Sequence, residues 1–287
     1  MNRRLFLDRG LAQRLGISLL TLVTLVTVLP ILAAVVYVVK AGLPAISWQF
    51  LSQMPRDGMR AGGILPAIVG TLYLTFGTAL FSVPLGVAAA IYLSEYAREN
   101  TLTRLIRIAI INLAGIPSVI YGLFGLGLFV FFLKFGTSIL SASLTLSIMT
   151  LPVIISATEE ALRAIPQSFR TVSISLGGTR WQTIRRIVLP QALPGIMTGI
   201  ILGLERAAGE TAPILFTGAA FFLARLPNSP FDGTMALPYH LFVISTQVPG
   251  MPIQIQYGTA LVLLAFVLAM NLFAVIIRSR ARSKRQW

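Results

Sequence analysis

The chain has 287 residues, of which 56% are hydrophobic and 11% charged, and its formal net charge is +14. Soluble domains carry about 25% charged residues, so this composition excludes an ordinary water-soluble fold and places the chain in a bilayer. The lack of cysteine excludes disulfides and thiolate metal sites, and a lone histidine, His240, excludes a histidine-rich metal centre.

A bilayer core about 30 Å thick needs ~20 apolar helical residues to cross it. Stretches of that length occur at 17–39, 66–93, 108–133, 135–158, 191–218 and 257–277. Lipid offers backbone amides no partner, so each is expected to be a helix. The first stretch follows Arg3, Arg4, Arg9 and Arg14 as a signal peptide would. Its apolar run is too long for a signal's h-region of about 7–15 residues, and it reads as a retained span. The expected fold class is therefore all-α, a polytopic membrane protein of six transmembrane helices forming one domain over 1–287.

Orientation follows from the basic residues. The N-terminal tail, the 94–107 and 159–190 loops and the basic tail at 278–287 together hold 17 Lys and Arg, whereas the alternate loops hold five. This bias predicts both termini and the 159–190 loop on the cytoplasmic side. The same placement of the bases, flanking apolar runs, argues for membrane orientation over nucleic-acid binding. The outer loops, 40–65 and 219–256, are rich in Pro and Gly and long enough to be functional.

Within 191–218 the sequence LERAAGETAPILF keeps Glu205, Arg206 and Glu210 in an otherwise oily segment. Each such charge costs about 2.5–3.5 kcal/mol at a bilayer centre, so these groups must face protein or water. Arg206 and Glu210 are four apart and share a helix face, whereas Glu205 lies about 100° round and needs another partner. Pro213 removes the bond to residue 209, a glycine, and permits a bend there. Two readings stand: a buried ion pair that fixes helix register, or an arginine lining an anion path. In 108–133, AGIPSVIYGLFGLG breaks its ladder at Pro117. Its glycines suit close helix packing, and Asn112, Ser118 and Tyr121 are candidate pathway residues.

Only three lysines occur, and none sits in a G-x-x-x-x-G-K-[ST] loop, so the chain does not cradle a nucleotide in that way. No Ser/His/Asp array surrounds His240, and a membrane hydrolase finds no support. The loop TEEALRAIPQSFRTVSISLGGTRWQTIRRIVLPQALPGI, residues 158–196, predicts a surface pair between Glu159 and Arg163. It then predicts a short helix after Pro166 with Phe169, Val172, Ser173 and Leu176 on one stripe, stopped by Gly177-Gly178. Thr179 and Gln182 stand at capping-box spacing for the next helix. An apolar stripe outside the membrane wants a protein groove or a lipid surface.

This loop resembles the EAA loop of ABC importer permeases, an EAA triplet followed by three residues, Gly, nine residues and I-x-L-P. Gly177, Ile187, Leu189 and Pro190 sit at those spacings, and the triplet itself reads Thr171-Val172-Ser173. Together with IPSVIYGLFG and RAAGETAP, it is similar to the phosphate importer permeases of the PstA type along nearly the whole chain. The resemblance implies a type I ABC importer permease (MetI-like) fold and no ATPase site of its own. It implies a second related permease subunit (PstC type), two ATPase subunits (PstB type) that carry ATP and Mg, and an external phosphate-binding protein (PstS type). Arg206, Glu210, Glu205, Asn112, Ser118 and Tyr121 are the residues expected along the substrate pathway. Arg170, Ser173, Leu176, Gly177, Gly178, Arg180 and Trp181 would couple to the ATPase. A permease for phosphonate or molybdate, or a proton-driven transporter using Glu205 and Glu210 as a relay, are the alternative readings.

Overall fold

The computed structural model describes residues 9–223 and 225–283. Arg3, Arg4, Lys284 and Arg285 of the basic tails lie outside the described residues. Helix α1 (Arg9–Gly42) is long, and none of its apolar window is buried inside the protein. A short helix, α2 (Trp48–Ser52), and the two-residue strands β1 (Pro55–Arg56) and β2 (Ala61–Gly62), paired antiparallel, lead to α3 (Leu65–Ile91). Helix α3 runs on as a π-helical turn, Tyr92–Tyr96.

The third predicted span is corrected. Helix α4 (Thr101–Ala114) and helix α5 (Ser118–Gly125), which continues as a π-helix to Phe132, meet at 103°. Pro117 starts α5 and has no N–H to give α4, and Gly115 and Ile116 close α4 with tight bonds to Asn112 and Leu113 carbonyls. Apolar length alone had merged two helices at nearly a right angle. Helix α6 (Ile139–Arg163) is the central span, with 61% of its apolar window buried.

Helices α7 (Gln167–Ser175) and α8 (Arg180–Thr183) follow, and a π stretch, Ile184–Val188, joins α8 to α9 (Leu189–Gly209). The fifth predicted span is corrected too: α9 stops at Gly209, and α10 (Ala212–Thr217) is a separate piece. Helix α11 (Leu237–Thr246) occupies the long loop that follows. The last helix, α12 (Ile253–Ser283), is longer at both ends than the 257–277 predicted. Counting the bent pair as one, the helices among the described residues that are long and apolar enough to cross a membrane number six.

Lipid gives helices no hydrophobic reason to associate, so close approach and hydrogen bonds must hold them. Helix α9 presents Gly195, Gly199 and Gly203, one every fourth residue, to Ala161, Ala157 and Ile154 of α6. A methyl at Gly195 would come within 2.6 Å of the Ala161 Cβ. Between α3 and α6, Ser147 Oγ lies 3.1 Å from the Thr78 carbonyl. Thr145, Ser147 and Thr150 otherwise donate to carbonyls of α6 itself.

The end opposite the basic loops is an ordered cap. Phe50, Met59, Ile64, Met235, Leu237, Val243, Ile244 and Met251 form one buried cluster from both long loops. Arg60 Nη2 donates to the Pro249 carbonyl at 2.6 Å, and the Leu237 N–H donates to Thr71 Oγ1 at 2.8 Å. His240, on α11 and outside the candidate spans, is only 2% exposed, and its Nδ1 has no hydrogen-bond partner. Burial holds its pKa down, from 6.5 to about 4. The unfolded chain therefore binds this proton first, and the stability that neutral His240 permits is complete above pH ~6.5 and lost as the pH falls toward 4. The loss amounts to about 3 kcal/mol. Thermal melts of the purified protein in detergent should show this acid limb, and His240→Leu should flatten it.

Candidate functional site

Helix α9 ends where its sequence can no longer propagate a helix. Glu210 takes an extended conformation (φ −76°, ψ 133°), and Pro213 has no N–H for the carbonyl of residue 209. Arg206 therefore sits in the last turn of α9, where unpaired carbonyls favour a cation. Its Nε donates to Glu210 Oε1 at 3.4 Å. The two side chains are 39% and 18% exposed, so the pair is not sealed in the packing. The sequence reading had set these charges within a span, and the structure sets them at its end, beside a break.

That break lies against the other one. Gly122 of α5 packs on α10 so closely that a methyl there would meet Pro213 Cα at 3.0 Å. Tyr121, Ala207 and Ile214 share one buried cluster with Leu74 of α3 and Leu146 and Met149 of α6. The chain position next to Arg206 is thus built into the packed centre of the molecule. Tyr121 is buried, and its hydroxyl donates to the Leu113 carbonyl at 2.7 Å, bridging the α4–α5 bend. Its hydroxyl proton is committed to the fold. Ser118 is half-buried in the first turn of α5.

Two sequence candidates separate from this group. Asn112 is exposed on α4, before the 103° bend, because the predicted single helix does not exist. Glu205 faces the side chain of Asn271 on α12, and its Oε1 is buried with no hydrogen-bond partner. The 100° offset from Arg206 made a different partner necessary, and α12 supplies it.

A second arrangement occupies the basic end. Pro166 precedes α7, and Gly177 ends it with φ +84°, a backbone that only glycine adopts freely. The Gly177 and Gly178 N–H groups return to the Ile174 and Ser173 carbonyls. The Thr179–Gln182 capping box is formed in both directions, at 2.9 and 3.2 Å. Ser173 Oγ meets Thr183 Oγ1 at 2.8 Å and ties α7 to α8. Phe169, Val172, Leu176 and Trp181 are exposed, Leu176 by 83%, and the first three line a shallow groove of about 460 Å³. Open space surrounds the Gly177 Cα, so a substitution there acts through the backbone alone. Gly177→Val should cost about 1–2 kcal/mol and Gly177→Asn less, read as shifts in the thermal midpoint.

Arg170 faces the other way. It makes a two-pronged pair with Glu95, at 2.6 and 3.1 Å, and donates to the Leu162 and Ile165 carbonyls at 2.9 and 2.8 Å. Arg180 lies 5.9 Å above the Tyr96 ring. The expected Glu159–Arg163 pair is present at 2.7 Å, and Glu159 also holds Arg107 of α4 at 2.9 Å. Among the described residues no three His, Asp or Glu side chains converge as a metal site.

Residues 82–283 match the family described as binding-protein-dependent transport system inner membrane component. The chain belongs to that family. The permease is 33% identical over 251 residues to the "Probable ABC transporter permease protein YqgI" of Bacillus subtilis, covering 83% of this chain and 85% of that one. It is 37% identical over 227 residues to the phosphate transport system permease protein PstA 1 of Mycobacterium tuberculosis, with 79% and 73% covered. A subunit of a bacterial alginate ABC transporter, solved with an alginate pentasaccharide-bound periplasmic protein, superposes with a TM-score of 0.68 at 16% identity, covering 93% of the permease and 95% of that chain. The architecture is therefore that of the MetI-like ABC importer permeases. As a member of this family the permease is a non-catalytic, multi-pass membrane subunit that works with ATPase and substrate-binding partners.

Sequence reasoning passed over Glu95, Tyr96, Arg107 and Asn271. Glu95 was legible as an acid at the end of an apolar run, but nothing in the sequence pairs it with a residue 75 positions away. Asn271 is the one amide in the apolar stretch 257–277 of α12, and that was its only signal.

Proposed function

We propose that this permease imports inorganic phosphate across the cytoplasmic membrane, with Arg206 as the group that receives the anion. The observation that carries this is the Arg206–Glu210 pair, part-exposed at the broken end of α9 and joined through Ala207 to the packed centre. A guanidinium offers a planar fork of donors to a tetrahedral oxyanion and replaces part of its hydration. Glu210 holds that fork when no anion is present. Several relatives at 33–38% identity are named phosphate transport permeases, which favours phosphate over phosphonate or molybdate.

In this reading both termini and the α7–α8 turn are cytoplasmic, as the basic bias predicts. The partners are a related second permease (PstC type), two ATPases (PstB type) holding ATP and Mg, and an external phosphate-binding protein (PstS type). The binding protein docks on the ordered cap of both long loops. The exposed stripe of Phe169, Val172, Leu176 and Trp181 seats in an ATPase groove, with Ser173, Gly177, Gly178 and Arg180 shaping the turn. Closure of the ATPases then moves α7 and switches access to the pathway.

The test is uptake of labelled phosphate by sealed vesicles that hold the assembled complex. Uptake should require ATP on the α7 side and persist without an ion gradient. Uptake that follows the gradient and ignores ATP would favour a proton relay and defeat this reading.

A further inference from the structure

The last turn of α3 is π-helical, and its consecutive residues Glu95 and Tyr96 reach different helices of the α7–α8 turn. Glu95 takes Arg170 of α7 in the two-pronged pair, and the Tyr96 ring lies beneath Arg180 of α8. The pair is interior: the Arg170 side chain is 12% exposed and that of Glu95 7%. Arg170 also binds the Leu162 and Ile165 carbonyls at the end of α6. One guanidinium therefore joins three helices.

A buried ion pair is a poor stabiliser, because desolvation offsets most of its attraction. Two parallel hydrogen bonds do fix direction and spacing, which an apolar contact does not. The helices held this way also matter for the pathway. Leu74 of α3 and Leu146 and Met149 of α6 pack with Ala207, the neighbour of Arg206. The outward face of α7 carries the exposed apolar stripe, while its inward face carries Arg170. Helix α7 is thus gripped from within and presented from without.

We propose that the Glu95–Arg170 pair is a positioning clasp that makes the adjoining ends of α3, α6 and α7 move as one body, so that a displacement of α7 reaches the pathway. The proposal rests on the reading of α7 as the ATPase-facing helix. Neither Glu95 nor Arg170 touches substrate in this scheme. Arg170, which the sequence placed among contacts to the ATPase, acts inside the permease.

The experiment uses the complete complex in liposomes and reads ATP hydrolysis with and without the loaded binding protein, beside phosphate uptake. Glu95→Gln keeps the size of the side chain and the two carbonyl bonds of Arg170, and removes the charge. The variant complex should assemble and keep basal hydrolysis, while stimulation by the loaded binding protein falls about tenfold. A mechanical tie should then rescue it. Ser94 and Gln167 line the same cavity as the pair, and the chain has no cysteine of its own. Ser94→Cys and Gln167→Cys, joined by a bifunctional thiol reagent in the Glu95→Gln background, should restore stimulation. Normal stimulation in assembled Glu95→Gln overturns the clasp, as does a cross-linked variant that stays uncoupled. Failure of Glu95→Gln to assemble assigns the pair to folding and overturns it too. Stimulated hydrolysis is read whichever anion moves, so a wild-type complex that takes up no phosphate defeats the substrate reading alone.

Discussion

Arg206→Gln should reduce the initial rate of phosphate uptake roughly 10- to 100-fold while the complex assembles in normal amount. The size follows from the loss of charged hydrogen bonds worth about 1.5–3 kcal/mol. Arg206→Lys should fall between, because an ammonium keeps the charge and loses the fork. Glu210→Gln should have the smaller effect of a loosened Arg206, since the pair is held by a single bond at 3.4 Å. The competing view, that the pair only sets helix register, makes the opposite forecast. Under it, Arg206→Gln lowers the amount of complex and leaves uptake per complex unchanged. Quantifying the complex beside the transport rate separates the two.

The reason this residue could be found without coordinates is energetic. A charge in an apolar segment is costly enough to be informative wherever it stands, and Arg206 and Glu210 announced themselves at helical spacing. The same holds for Gly177: a glycine pair followed by a capping box has few structural solutions, and the observed φ of +84° is one of them. Pro117 and Pro213 marked where the third and fifth spans could break, but not how sharply. Hydropathy sums over residues and is blind to direction, so α4 and α5 read as one helix although Pro117 lay between them. That Glu205 needs a partner other than Arg206 followed from its 100° offset, but which helix supplies Asn271 did not. The Glu95–Arg170 pair needed the fold outright, since it closes a gap of 75 residues that no local pattern spans.

The glycine stripe of α9 makes the second large prediction. Gly199→Leu should lower the yield of folded permease and cost about 1–3 kcal/mol, the usual penalty of overpacking a filled interior. A methyl at Gly199 already collides with the Ala157 Cβ of α6, before the rest of the leucine is built. Because lipid does not drive these helices together, a lost close contact is not recovered by hydrophobic association, and α6 and α9 should part. Gly127→Leu is the matched control. Gly127 has open space around it on an exposed face, so the same side chain should be tolerated there. Thermal midpoints and detergent-extracted yields of both variants give the comparison. Equal behaviour would mean that α6 and α9 are held by something other than their glycine contact. Movement of α6 would then reach Arg206 through that other contact, because the residue rides on α9, three positions beyond the last glycine of the stripe.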